Sequence, residues 1–371
     1  MLQKALRRSV VPIIPLIALG GSVSLAVESP PSKPDLAFGP KLTIDHGRKA
    51  VSGPALRMDQ RGALHVAWIE EDRDVKGLYY LRADNETARL QKPVRVNGPE
   101  ESVASMHQSP GLALGPKGEI YLSWSASHPR ASDEQPFASL LRLSRSEDRG
   151  HTFAHSVAVN DDDAVTFHTF DSLAVDRNGT VHVAWIDARE GKKEPRTFAA
   201  RSTDGGRTVA KNVKVGENTC VCCRTALTTA SDGTVYLAWR DVLEGNIRET
   251  VVARSTDGGQ SYSAPVIVGN DRWVFPGCPH RPASLGVDKH GRLYVVWYTE
   301  GTDETPAIYL ATSDDRGQTF TPKRRLSASK GTFPDHPQVA VDGEGRVVVV
   351  WEEQSPVRRE VVMSYSFDRG R

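Results

Sequence analysis

The chain has 371 residues, with 47 basic and 46 acidic side chains and only four cysteines. A formal net charge of +1 gives nucleic acid or an anionic membrane surface no electrostatic reason to bind. Length alone would suggest two domains, but internal repeats decide otherwise.

Residues 1–26 read as a secretory signal: Lys4, Arg7 and Arg8 make a basic start, Val10–Leu19 is apolar, and Ser24-Leu25-Ala26 ends in small-residue cleavage spacing. Pro12, Pro15 and Gly20-Gly21 interrupt an apolar run already shorter than the roughly 20 residues a membrane span needs. Cleavage near Ala26 is therefore favoured over an uncleaved anchor, and the mature protein is expected in the periplasm or outside the cell. It would carry 44 basic against 46 acidic residues and need no membrane beyond the export signal. Residues 27–39, with Pro30, Pro31 and Pro34, read as a linker.

From residue 40 to 371 two signatures recur. The first is Gly, five residues, Trp: Gly62/Trp68, Gly118/Trp124, Gly179/Trp185, Gly233/Trp239, Gly291/Trp297 and Gly345/Trp351. Each joins a short apolar run to an alternating one, as Leu173-Ala174-Val175 and Val181-His182-Val183-Ala184-Trp185 do, and so predicts a β-hairpin. The second is Ser-x-Asp-x-Gly-x-Thr-aromatic, seen at 146–153 and 313–320, with variants at 202–209 and 255–262 and a copy cut short at Ser366–Gly370. Together they give four strands per unit, lettered A to D, repeating about every 55 residues. Six such hairpins predict an all-β, six-bladed propeller with each Trp packed between neighbouring blades. The last unit lacks strand D, and Lys41-Leu42-Thr43-Ile44-Asp45 is expected to supply it beside residues 361–365, closing the ring and covering a sheet edge.

The Ser-x-Asp-x-Gly-x-Thr-Phe turns resemble the Asp-boxes, or BNR repeats, of the sialidase superfamily over roughly residues 40–371. They brace turns on the blade rim and are given no catalytic part. The resemblance implies a first-blade Arg-Ile-Pro-Ala-Leu whose Arg holds a substrate carboxylate, a Tyr nucleophile backed by Glu, and an Asp acid. Here the matching stretch is Ser52-Gly53-Pro54-Ala55-Leu56, with Ser in place of Arg, so sialidase activity proper is not expected. Arg224 and Arg281 remain as candidate ligands for an anion, and Tyr298 with Glu300 is a conceivable nucleophile pair whose simpler reading is core packing.

Strand A is innermost in this plan, and its start faces the channel mouth. Seventeen residues before each Trp stand His107, His168, Cys222 and His280 in blades two to five, with Val51 in blade one and Pro334, followed by Asp335 and His336, in blade six. Cys220, Cys223 and Cys278 flank this station, and Glu70, Glu71, Asp187, Asp241, Glu300, Glu352 and Glu353 follow the Trps toward the same face. Thiolates with imidazoles suit copper(I) best and zinc second. The candidate metal ligands are therefore Cys220, Cys222, Cys223, Cys278 and His280, with His107, His168 and His336 around the rest of the mouth. Against this, four cysteines in an exported chain can form two disulfides, or a redox-active pair. His65 and His182 take a strand B position held elsewhere by Tyr or Val, so packing explains them. Three functions stay open: a metal-binding propeller, a diverged glycoside hydrolase acting on an acidic sugar, and a propeller that binds a protein or glycan without chemistry.

Overall fold

The computed structural model describes residues 50–72, 75–84, 90–104, 108–191, 193–327 and 331–370. They form six antiparallel sheets met one after another along the chain, the architecture of a six-bladed β-propeller. Blade three shows the plan, with strand A His168–Val175, strand B Val181–Asp187, strand C Arg196–Ser202 and strand D Val213–Gly216 paired in that order. The A strands of successive blades lie against one another from blade one to blade six, which makes them the inner ring. Every A–B hairpin turns on a glycine with φ between 79° and 89°, a backbone region where a Cβ is strained.

The six repeat tryptophans are all buried, none more than 5% exposed. Trp124, Trp185, Trp239, Trp297 and Trp351 each join an apolar cluster shared with the preceding blade, so the core is a series of inter-blade layers. The indole N–H of Trp68, Trp185 and Trp239 donates to the carboxylate two residues on, at 3.0, 2.7 and 3.2 Å. Glu70, Asp187 and Asp241 are therefore buried braces of the core. The expectation that they line the channel mouth fails because strand B continues through them and turns them onto the Trp face.

The Ser-x-Asp-x-Gly turns are built alike. In blade two Ser146 Oγ donates to Asp148 Oδ1 and accepts from Gly150 N, while Thr152 gives Asp148 both its N–H and its hydroxyl. The turn glycine then rests on the blade before it: Gly150 on Tyr80, Gly206 on Tyr121, Gly259 on His182 and Gly370 on Tyr294. His182 thus has the packing role expected for it, and His65 likewise binds the Tyr80 hydroxyl at 2.7 Å.

Blade four gains an additional short strand, Trp273–Val274, paired with strand C Ile247–Ser255. Blade six has three strands among the described residues, ending in Arg359–Ser366. The expected closing strand 41–45, the signal 1–26 and the linker 27–39 lie outside the described residues.

Inner strands differ in length. In blades one, three and six they extend toward the mouth as Ala50–Met58, His168–Val175 and Phe333–Val341, and two residues bulge opposite the Trp. The first bulged residue has positive φ in each: Gly53 (59°), Phe170 (56°) and His336 (47°). In blades two, four and five strand A is only four residues, Gly111–Leu114, Ala226–Thr229 and Ser284–Val287, and the chain before it is loop. This difference decides where each candidate ligand points.

Candidate metal centre

The loop entering blade four carries three cysteines, and the loop entering blade five carries Cys278 and His280. Both are held by blade four. Cys220 N donates to Arg240 O at 2.8 Å and Val242 N to Asn218 O at 2.7 Å, so the first loop runs beside strand B. The second loop is tied to strand C: the Glu249 carboxylate accepts from Asp271 N and Arg272 N, and Arg248 donates to Phe275 O and Gly277 O. Arg240, 2% exposed, donates to Tyr298 O at 2.7 Å and to Arg281 O, and its guanidinium lies 5.1 Å over Trp273. Two loops a full repeat apart in sequence are thereby fixed on one framework.

Cys220, Cys222 and Cys223 are buried, with Cys220 Sγ 3.2 Å from Cys223 Sγ and 3.8 Å from Cys222 Sγ. Cys222 Sγ also forms a second group with Cys278 Sγ and a ring nitrogen of His280; within each of the two groups the donor atoms lie no more than 4.8 Å apart. Cys278 and His280 are exposed. Phe170, tipped out by the blade three bulge, packs on the cysteines and sits 6.0 Å ring to ring from His280. Holding Phe170 at positive φ costs about 1–3 kcal/mol, which its packing over the thiols offsets. All four cysteines are free, and 3.2 Å is well beyond the roughly 2.05 Å of a disulfide.

Hydrogen bonding from Cys222 and Cys223 pulls the Cys220 ionisation down, and Arg240 adds to this. The same bonding pushes Cys222 up, and burial pushes Cys223 up to about 12. Arg240 Nη1 is buried without a hydrogen-bond partner among the described residues.

The remaining candidates lie elsewhere. His168 carries the same sequence offset as Cys222 but is fully buried, with Nδ1 2.6 Å from Ser139 O and Nε2 3.0 Å from Asp162 Oδ2. Asp162, His168 and Asp187 have metal-ligand spacing, yet Arg189 reaches Asp187 at 2.8 Å and Asp162 at 2.9 Å and takes the place a cation would have between them. His168 therefore belongs to a buried ion network rather than to the mouth, because strand A of blade three runs through it. His336 is exposed and pairs with Asp335 at 3.2 Å, apart from the thiols. His107 lies outside the described residues.

Arg281 pairs with Asp335 and its guanidinium lies 5.0 Å over the Tyr298 ring. Arg224 donates Nε to Asp171 O and, like Arg57, forms no ion pair among the described residues. Tyr298 is 3% exposed, stacks edge-on with Trp273 and donates to Glu300 Oε1 at 2.6 Å. Burial and that bond push its ionisation far up, which suits core packing better than nucleophilic attack.

Sequence reasoning missed three features. Cys220 and Cys223 stand in Cys-x-x-Cys spacing, hidden behind the Cys-x-Cys-Cys reading. Arg240 follows its Trp where other blades carry Ile, Ser, Tyr or Glu, a charged residue in a buried register. Phe170 left no signal, since its role depends on a bulge.

No family model matches the chain, and no curated protein matches it. Solved structures do resemble it. A Hadza microbial sialidase aligns at TM-score 0.58 and 16% identity, over 86% of this chain and 66% of the sialidase, just under two thirds of its length. An ulvan lyase aligns at TM-score 0.58 and 12% identity, over 84% of this chain and 80% of the lyase. An α-L-arabinanase from Penicillium chrysogenum, complexed with arabinobiose, aligns at TM-score 0.55 and 14% identity, over 85% and 93% of the two chains. At these identities the likeness is one of fold: the chain has the six-bladed propeller found in sialidases and related sugar-active proteins.

Proposed function

We propose that this is an exported propeller that binds a soft metal ion, copper(I) before zinc, through Cys220, Cys222, Cys223, Cys278 and His280. The observation that carries the reading is the meeting of Cys222 with Cys278 and His280 from two separately anchored loops. Packing alone gives no reason to gather four thiols and an imidazole there, and a buried thiolate without a cation is costly. Soft sulfur donors select copper(I), while structural zinc takes four protein ligands in a tetrahedron, which neither group of three supplies. The export reading rests on residues 1–26. The test is anaerobic copper(I) binding by the reduced protein in competition with a chromogenic chelator. Tight binding lost in Cys222→Ser supports the reading, and chelator retaining all the copper refutes it.

A second reading is supported by the arginines. Burial lowers the basicity of both Arg57 and Arg224, Arg224 lowers that of Arg57 further, and neither forms an ion pair among the described residues, so an acidic sugar or other small anion would be held there. Structural neighbours that are sialidases, lyases and arabinanases agree with a glycan ligand. A screen of aryl-glycosides and uronates, with Arg224→Ala as control, tests it; no turnover and no binding would remove it.

A further inference from the structure

Resting on the soft-metal reading above, we propose that the site holds two copper(I) ions bridged by the Cys222 thiolate, one in a buried centre and one in an exposed entry centre. The donors fall into two groups of three, Cys220/Cys222/Cys223 and Cys222/Cys278/His280, and the five do not form a single group at the same spacing. An ion bonded to three donors at about 2.3 Å sets them about 4 Å apart. The measured 3.2 and 3.8 Å in the first group, and the limit of 4.8 Å in both, fit one ion per group after small side-chain adjustments. No one ion can reach all five donors, and Cys222 is the member common to both.

The two centres differ in access. Cys220 and Cys223 are 1% and 0% exposed and lie under Phe170 and Val242, whereas Cys278 and His280 face solvent. An ion captured by Cys278, His280 and Cys222 moves inward by exchanging Cys278 and His280 for Cys220 and Cys223, one ligand at a time, while Cys222 stays bonded. The copper remains +1 throughout, and each thiol that binds releases its proton to water. Four thiolates around two copper(I) ions leave a charge of −2, and the neighbouring Arg240 guanidinium offsets part of it. The exposed centre is thus the port and the buried centre the store.

The experiment is anaerobic titration of the reduced full chain with copper(I) against a chromogenic chelator, paired with X-ray absorption at the copper edge. Wild type is expected to take two equivalents and to show a short copper–copper vector. The double variant Cys278→Ser/His280→Ala, altered only at exposed positions, is expected to take one equivalent without that vector and to load more slowly. One equivalent in wild type, or two in the double variant, overturns the two-centre inference and leaves the metal site standing. Zero equivalents overturns both.

Discussion

Cys222 and His280 stand at equivalent offsets before Trp239 and Trp297, and the structure brings their ligand atoms within 4.8 Å of one another. Because strand A is short in both blades, the residues ahead of it are loop and turn toward each other. His280 itself has φ 52°, a strained backbone that directs its ring to the thiols.

This geometry separates ligands from neighbours. Cys222→Ser is expected to abolish tight copper(I) binding, since it removes the donor common to both groups. His168→Ala and His336→Ala are expected to leave copper affinity unchanged within twofold, because neither side chain belongs to the thiol groups. Chelator competition on the three variants checks this, and a tenfold loss in either histidine variant would place the site elsewhere.

The buried network at blade three is expected to act on stability alone. Asp187, 0% exposed, accepts from Trp185 Nε1 and Arg189 and faces His168 at 3.6 Å. Asp187→Ala leaves the buried Trp185 indole N–H without its acceptor and removes one of the carboxylates that Arg189 bridges, and should cost about 1–3 kcal/mol in urea unfolding with copper binding retained. A cost below about 1 kcal/mol would show that the network is not the brace described.

How much of this was legible in the sequence depended on what kind of constraint each residue obeys. The six Gly/Trp hairpins and the Ser-x-Asp-x-Gly turns repeat because each blade needs the same turn and the same inter-blade plug, so periodicity revealed them. Cys222 and His280 were legible for the same reason, being one repeat apart. His168 was misplaced because equal offset does not mean equal strand length: pairing opposite Ile186 and Asp187 carries strand A of blade three through it. Glu70, Asp187 and Asp241 were misplaced because their partner is the indole two residues back, a contact that reads in sequence as surface charge. Arg240 and Phe170 act across blades, and only the folded ring brings them to the thiols.

The rim turns should set the acid limit of stability. Burial raises the Asp148 carboxyl, but donors from Thr152 and Ser146 outweigh it and hold the group at about 2, and Asp315 is held at about 2 by Thr319 and Ser313 in the same way. With the folded pKa below the unfolded value near 3.9, this stabilisation is full above about pH 4 and lost as pH falls toward 2. Asp148→Asn with Asp315→Asn should flatten the fall of stability between those limits. An unchanged slope in acid titration followed by fluorescence would assign the loss to other carboxylates.

The glycine of each rim turn is expected to be irreplaceable where the preceding blade touches it. A Cβ on Gly150 would stand 2.1 Å from Tyr80 Cε1, on a backbone with φ 85°. Gly150→Ala should destabilise by about 1–3 kcal/mol, whereas Gly233→Ala, with open space around its Cβ, should cost only its backbone strain. Equal losses would mean that the contact between blades one and two contributes nothing.

The most direct test of the central claim is a native mass spectrum of the full chain purified without reductant from the cells that express it. A mass raised by bound copper, returning after acid denaturation to that of a chain with four free thiols, is the expected result. A metal-free mass lower by four hydrogens would mean that Cys220, Cys222, Cys223 and Cys278 form two disulfides, and would contradict the account.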